Sequence, residues 1–135
     1  KERLLTHLHE GNRASASQAP VNAILAFERN WQKRFTEFAP HAVAAQKFFE
    51  DEGERIPLGR LCAQVQAGYF ITAVRALGLD AGPITGADFE AIAADAVLLG
   101  GQDQQPFLVV NIGYGLGPFR ERGVRFSFEQ TTRTV

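Results

Sequence analysis

A single cysteine, Cys62, in a chain of 135 residues leaves no internal disulfide framework. A lone thiol suits a reducing compartment such as the cytoplasm. A basic surplus is also missing: 14 lysines and arginines stand against 15 aspartates and glutamates, a formal charge of −1. That balance argues against a general nucleic-acid binder. No apolar run approaches the roughly 20 residues that span a bilayer, and no signal peptide is visible, so a soluble cytoplasmic protein without membrane contact is expected. His7 and His9 lie on one short helical stretch and point to different faces, and His41 adds no convergent spacing. No metal site is expected from them. Internal repeats and low-complexity tracts are absent as well.

What remains is ordinary globular material, 45% hydrophobic and 21% charged. The length suits one domain, residues 1–135, with a core that needs no staple. Lys1–Glu10 reads as a short helix with Leu4, Leu5 and Leu8 on one face, stopped by Gly11-Asn12 and followed by a small-residue connector, Ala14–Gln18. Pro20–Phe27 reads as a buried strand. Trp31, Phe35 and Phe38 repeat at helical spacing and halt before Pro40; His41–Phe49 suggests a further short helix, and the polar stretch Asp51–Pro57 a loop.

Leu58–Leu77 is the longest periodic segment. Its apolar residues cover two faces, which predicts a helix buried on more than one side, running through the middle of the fold or between two subunits. Cys62 lies on one of those faces with no base nearby in sequence, and reads as an inert core thiol.

The stretch Arg75–Gly86 (Arg-Ala-Leu-Gly-Leu-Asp-Ala-Gly-Pro-Ile-Thr-Gly) carries the densest signal. The helix is expected to end at Gly78, a tight turn to cross Gly82-Pro83, and a new helix to open at Gly86, with Thr85 and Asp88 as a capping box. Phe89, Ile92, Ala93 and Ala96 continue that helix. Glycine-dense loops let main-chain N–H groups approach a flat or anionic ligand with no Cβ in the way. Beyond a turn over Gly100–Gln105, Phe107–Ile112 is a continuous apolar run, read as a central strand. A loop over Gly113–Gly123 leads to Val124–Phe128, a short strand or extended arm.

These words, in this order, resemble the FMN-dependent nitroreductase family, and within it the branch containing malonic semialdehyde reductases. The resemblance runs from Lys1-Glu2-Arg3-Leu4 through Gly11-Asn12, Ala19-Pro20-Val21, Arg75–Asp80, Gly82-Pro83 and Asn111-Ile112-Gly113-Tyr114-Gly115 to Arg125–Glu129. It spans this whole chain but only the C-terminal two-thirds of a family member. The chain opens at Lys1 inside a helical pattern, so an N-terminal segment is expected to be missing from this sequence.

The resemblance implies an α+β nitroreductase-like fold: a central, mostly antiparallel sheet flanked by helices, with one long buried helix. It implies a homodimer with FMN in a crevice that both subunits build. The segment Gly82, Pro83, Ile84, Thr85 and Gly86 would lie beside the flavin ring, Asn12 beside the ribityl chain or phosphate, and Arg122 or Arg125 on the phosphate. Main-chain N–H groups of Thr85 and Gly86 would offer fixed donors to the ring, and an arginine fork suits a phosphate dianion. No side chain need be catalytic, because the cofactor carries the reaction. NADH or NADPH would reduce the flavin and give way, in ping-pong fashion, to a small electrophilic acceptor: a malonic semialdehyde-type aldehyde, a nitroaromatic or a quinone. The alternative is a non-catalytic flavin-binding or structural remnant of the family. Two departures stand out: Ala87 where relatives usually carry an aromatic residue, and Ser15 where a lysine is expected.

Overall fold

The computed structural model describes residues 1–100, 103–117 and 121–135. Three antiparallel strands form the centre, in the order β1-β3-β2, with β1 at Val21–Glu28, β2 at Asp80–Ile84 and β3 at Gln104–Gly113. Central β3 is the apolar run expected to be buried. Its neighbours Val109 and Val110 are both fully buried, and because successive residues point to opposite faces, both faces of the sheet are covered. Pro106, unusual in a central strand, sits where the register shifts between Leu25 and Ala26 and Phe107 is the extra residue.

Ile24, Val109 and Ile84 pair across the three strands and face one core with Leu4, Leu8, Ala16 and Ile92. Those four come from helices α1 (Glu2–Thr6), α2 (Glu10–Gln18) and α5 (Phe89–Ala94) and from the α1–α2 junction. Val110 lies on the opposite face, the one along which the 25-residue helix α4 (Glu52–Ala76) runs. Two 3₁₀ segments, Trp31–Arg34 and Pro40–Phe49, flank the one-turn helix α3 (Phe35–Phe38), where sequence spacing predicts ordinary helices. A last short helix, α6 (Phe128–Thr131), carries a Ser127–Gln130 capping box. No strand forms over Val124–Phe128.

Several local expectations give way to tertiary pairing. The helix expected over Lys1–Glu10 breaks at His7–His9, because Leu8 forms a bridge with Ala87. Gly11 and Asn12 therefore open α2 instead of closing α1, and Ala14–Gln18 is helical. Gly82 and Pro83 belong to β2, not to a turn; an edge strand tolerates a proline. The cap of α5 is Asp88, whose Oδ1 accepts from the Ala91 N–H at 2.9 Å, and Thr85 is not part of it. Helix α4 starts six residues before Leu58: Asp51 caps it by accepting from the Gly53 N–H at 2.6 Å, and Glu52 and Glu54 suit its positive end.

Arg55, only 4% exposed, ties that start down. Its guanidinium donates to the carbonyls of Arg29 (2.9 Å), Phe49 (3.0 Å) and Glu50 (2.8 Å) and to Glu52 Oε1 (3.0 Å). Burial of α4 is one-sided within the chain: Ala67 and Val74 are covered, whereas Leu61, Val65 and Tyr69 form an exposed stripe. Cys62 is exposed too, so the core-thiol expectation is corrected. Positions 101 and 102 of the expected Gly100–Gln105 turn, and 118 to 120 of the expected Gly113–Gly123 loop, lie outside the described residues.

Candidate functional site

The C-terminal end of β3 and the start of β2 meet the end of α2 around a cleft of about 500 Å³. Its walls are Ser15 and Gln18 of α2, Gly82 of β2, Asn111 of β3, and the Gly113–Leu116 loop. Gly82 pairs with Asn111, and Asn111 with Asn22, so the three share one row across the sheet. The Asn22 amide donates to Asn111 Oδ1 at 2.8 Å and to the Ala16 carbonyl at 3.0 Å, which fixes the Asn111 amide in the wall. Gly113 has to be glycine for a steric reason: a Cβ there would stand 2.5 Å from Pro20 Cδ. Asp80 anchors the following loop, accepting from the Gly115 N–H at 2.7 Å with Oδ2 while Oδ1 pairs with Arg75. Tyr114, the residue before, stands exposed at the rim.

Next to this cleft is a second fixed junction. The Gly86 carbonyl accepts from the His9 N–H and from Asn12 Nδ2, both at 3.0 Å. The Asp88 N–H donates to the His7 carbonyl at 2.8 Å, and Ala87 N–H to Thr85 O at 3.0 Å. The α1–α2 corner thus clamps residues 85–88.

The predicted cofactor residues fall into four groups. Asn12 and Gly86 are in contact. Gly82, Pro83 and Ile84 alternate along a strand: Gly82 lines the cleft, Pro83 is exposed, and the Ile84 side chain is 6% exposed in the core, where it meets no ligand. Thr85 is exposed beyond the strand end. Arg122 and Arg125 are exposed and do not line the cleft; Arg125 Nη1 turns back to the carbonyls of Gly123 (2.9 Å) and Val124 (3.1 Å). No lysine or arginine lines the cleft among the described residues. Asn22, Asp80 and Asn111 are the members that sequence reasoning did not assign. The signal for Asn111 was in view: a polar residue inside an apolar central strand needs a partner.

On the opposite side, β1 and α4 enclose an apolar groove of about 510 Å³. Trp31, Phe35, Phe38 and Phe49 pack there as tilted or stacked rings, with centroids 4.8 Å apart for Trp31–Phe49 and 4.9 Å for Phe35–Phe38. Cys62 stands in its wall. Trp31 Nε1 donates to the Arg55 carbonyl at 3.1 Å. Of the charged groups nearby, Glu37 is held below the usual carboxylate range by its hydrogen bonds from Arg34. Elsewhere, Asp95 is lowered to about 2, chiefly by the Arg3 guanidinium, with backbone N–H groups of Val97 and Leu98 and the His7 ring adding to it.

Known proteins decide the family. A Streptomyces coelicolor protein assigned as an NADH dehydrogenase/NAD(P)H nitroreductase is 39% identical over 137 aligned positions, covering 100% of this chain and 68% of its own. The chain belongs to the nitroreductase family. A second Streptomyces coelicolor relative of the same assignment is 42% identical, over 87% of this chain and 58% of its own length. This nitroreductase-family chain thus spans 58 to 68% of these relatives. Its fold superposes on a nitroreductase family protein from Streptococcus pneumoniae with a TM-score of 0.80 at 20% identity, covering 98% of this chain and 72% of that one. An NAD(P)H:FMN oxidoreductase assignment from Staphylococcus epidermidis gives 0.77 at 15% identity, over 99% and 70%. No protein-family model matches. Among the described residues, no helix is long and apolar enough to cross a membrane.

Proposed function

We propose that this chain supplies part of the cofactor site of a homodimeric, FMN-dependent oxidoreductase that uses NADH or NADPH to reduce a small electrophilic acceptor. The observation that carries it is the glycine-lined, amide-walled cleft between α2 and the β2–β3 end. A volume of about 500 Å³ is in the range of cofactor sites. Gly82, Gly113 and Gly115 present backbone without side chains, and Ser15, Gln18 and Asn111 offer hydroxyl and amide groups that suit a polyhydroxylated chain. The clamped backbone at Thr85–Gly86 is fixed before any ligand arrives, as electrostatic stabilisation requires. FMN would supply hydride acceptance from the nicotinamide and hydride donation to the acceptor. The chain's own residues bind, orient and hold backbone donors in place. The exposed Leu61–Val65–Tyr69 stripe supports a second copy packing along α4. The acceptor fits the same class as before: a malonic semialdehyde-type aldehyde, a nitroaromatic or a quinone.

One observation favours the rival, a remnant that is no longer catalytic: among the described residues, the cleft lining offers a phosphate no cationic partner. Absorbance separates the two. The enzyme reading expects a yellow protein whose flavin bands bleach anaerobically on adding NADH or NADPH. Protein that stays colourless after incubation with FMN and desalting contradicts it.

A further inference from the structure

Gly86 has no positive φ, so its identity is not explained by backbone conformation. Space explains it. A Cβ on Gly86 would overlap Asn12 Nδ2 and come within 3.2 Å of His9 Nδ1. The amide that fills this space donates to the Gly86 carbonyl, and the same oxygen accepts the His9 N–H. Two donors on one carbonyl use both of its lone pairs and fix the peptide plane that joins Gly86 to Ala87. The Leu8–Ala87 bridge and the Asp88 N–H···O=C His7 bond hold the next residues to the same corner.

We propose that Asn12 is a positioning residue that acts through the Gly86 carbonyl, and that residue 86 is glycine so that this amide can reach it. Asn12 therefore sets the direction of the Thr85–Ala87 main chain and need not touch a ligand itself. The consequence for flavin affinity rests on the cofactor reading above; the clamp does not.

The test uses the intact protein with N12A, N12D, G86A and the double variant N12A/G86A. Two measurements are made: hydrogen exchange of the His9 amide without FMN, and FMN affinity from quenching of flavin fluorescence. N12D keeps the shape of asparagine but has no donor, so it separates the hydrogen bond from packing. Both Asn12 variants are expected to speed His9 exchange and to raise the FMN Kd, each about 10-fold. G86A displaces the amide and gives the same pair of effects, and the double variant is no worse than N12A, because both changes remove one shared interaction. Unchanged His9 exchange with a raised Kd means that Asn12 meets the cofactor directly, which overturns the positioning role and keeps the cofactor reading. Faster exchange with an unchanged Kd keeps the clamp and overturns its role in positioning backbone for the flavin; a parent protein that binds no FMN sinks the cofactor reading, and the exchange result still decides the clamp. Additive effects in the double variant overturn the proposal.

Discussion

The two clefts on opposite sides of one small sheet are built by different physics. The β2–β3–α2 cleft is shaped by hydrogen bonds, Asn22 to Asn111 and the Gly115 N–H to Asp80, and the junction beside it by Asn12 to Gly86. The β1–α4 groove is shaped by rings, with polar bonds at the Arg55 hub behind them and at the Arg34–Glu28 pair. Hydrogen bonds set direction, and direction is what a cofactor with defined donors and acceptors needs. Ring packing sets volume and tolerates repacking. That difference is why the proposed cofactor reading rests on the first cleft, while the second groove is an aromatic packing site.

That contrast can be broken from either side. The largest effect is expected at the hub: Arg55→Leu leaves three carbonyls without their donor, costing about 3–5 kcal/mol in a urea or guanidinium titration. Gly113→Val comes next, at about 2–3 kcal/mol, because its side chain meets Pro20 and the cleft wall must shift. Trp31→Phe keeps the ring packing but loses one bond to the Arg55 carbonyl, costing about 1 kcal/mol with flavin affinity unchanged. The smallest effect is a pH dependence from Asp95. Its folded pKa of about 2 lies below its ordinary 3.8, so its contribution is fully present above about pH 4 and is lost as pH falls toward 2. Acid titration of Asp95→Asn checks this: the variant's stability should fall less over that window.

The sequence announced β1, β3 and the long helix because their apolar periodicity is strong. It misled where tertiary contacts overrode local signals. Gly82-Pro83 has turn chemistry, yet strand pairing with Val110 and Asn111 holds it extended. Gly11-Asn12 has a helix-stop signature, yet the Leu8–Ala87 bridge moves the break to His7–His9. Asp51–Pro57 looks like a loop because its charges hide a cap and a buried arginine. The cleft was legible as motifs, through Gly82 and the Asn111–Gly115 word, and the junction beside it through Asn12 and Gly86. Its wiring was not: nothing in the linear order says that Asn22 serves Asn111, or that Arg125 turns back on its own segment.

The central claim is that the glycine-lined cleft, and not the aromatic groove, receives the flavin. Gly82→Leu tests it most directly, because a Cβ there makes only an ordinary 3.6 Å contact with Asn111 and the rest of the side chain would fill the cleft. Fluorescence titration with FMN is expected to show a Kd raised about 10-fold or more with an unchanged Tm. An FMN affinity equal to that of the parent chain would contradict the account.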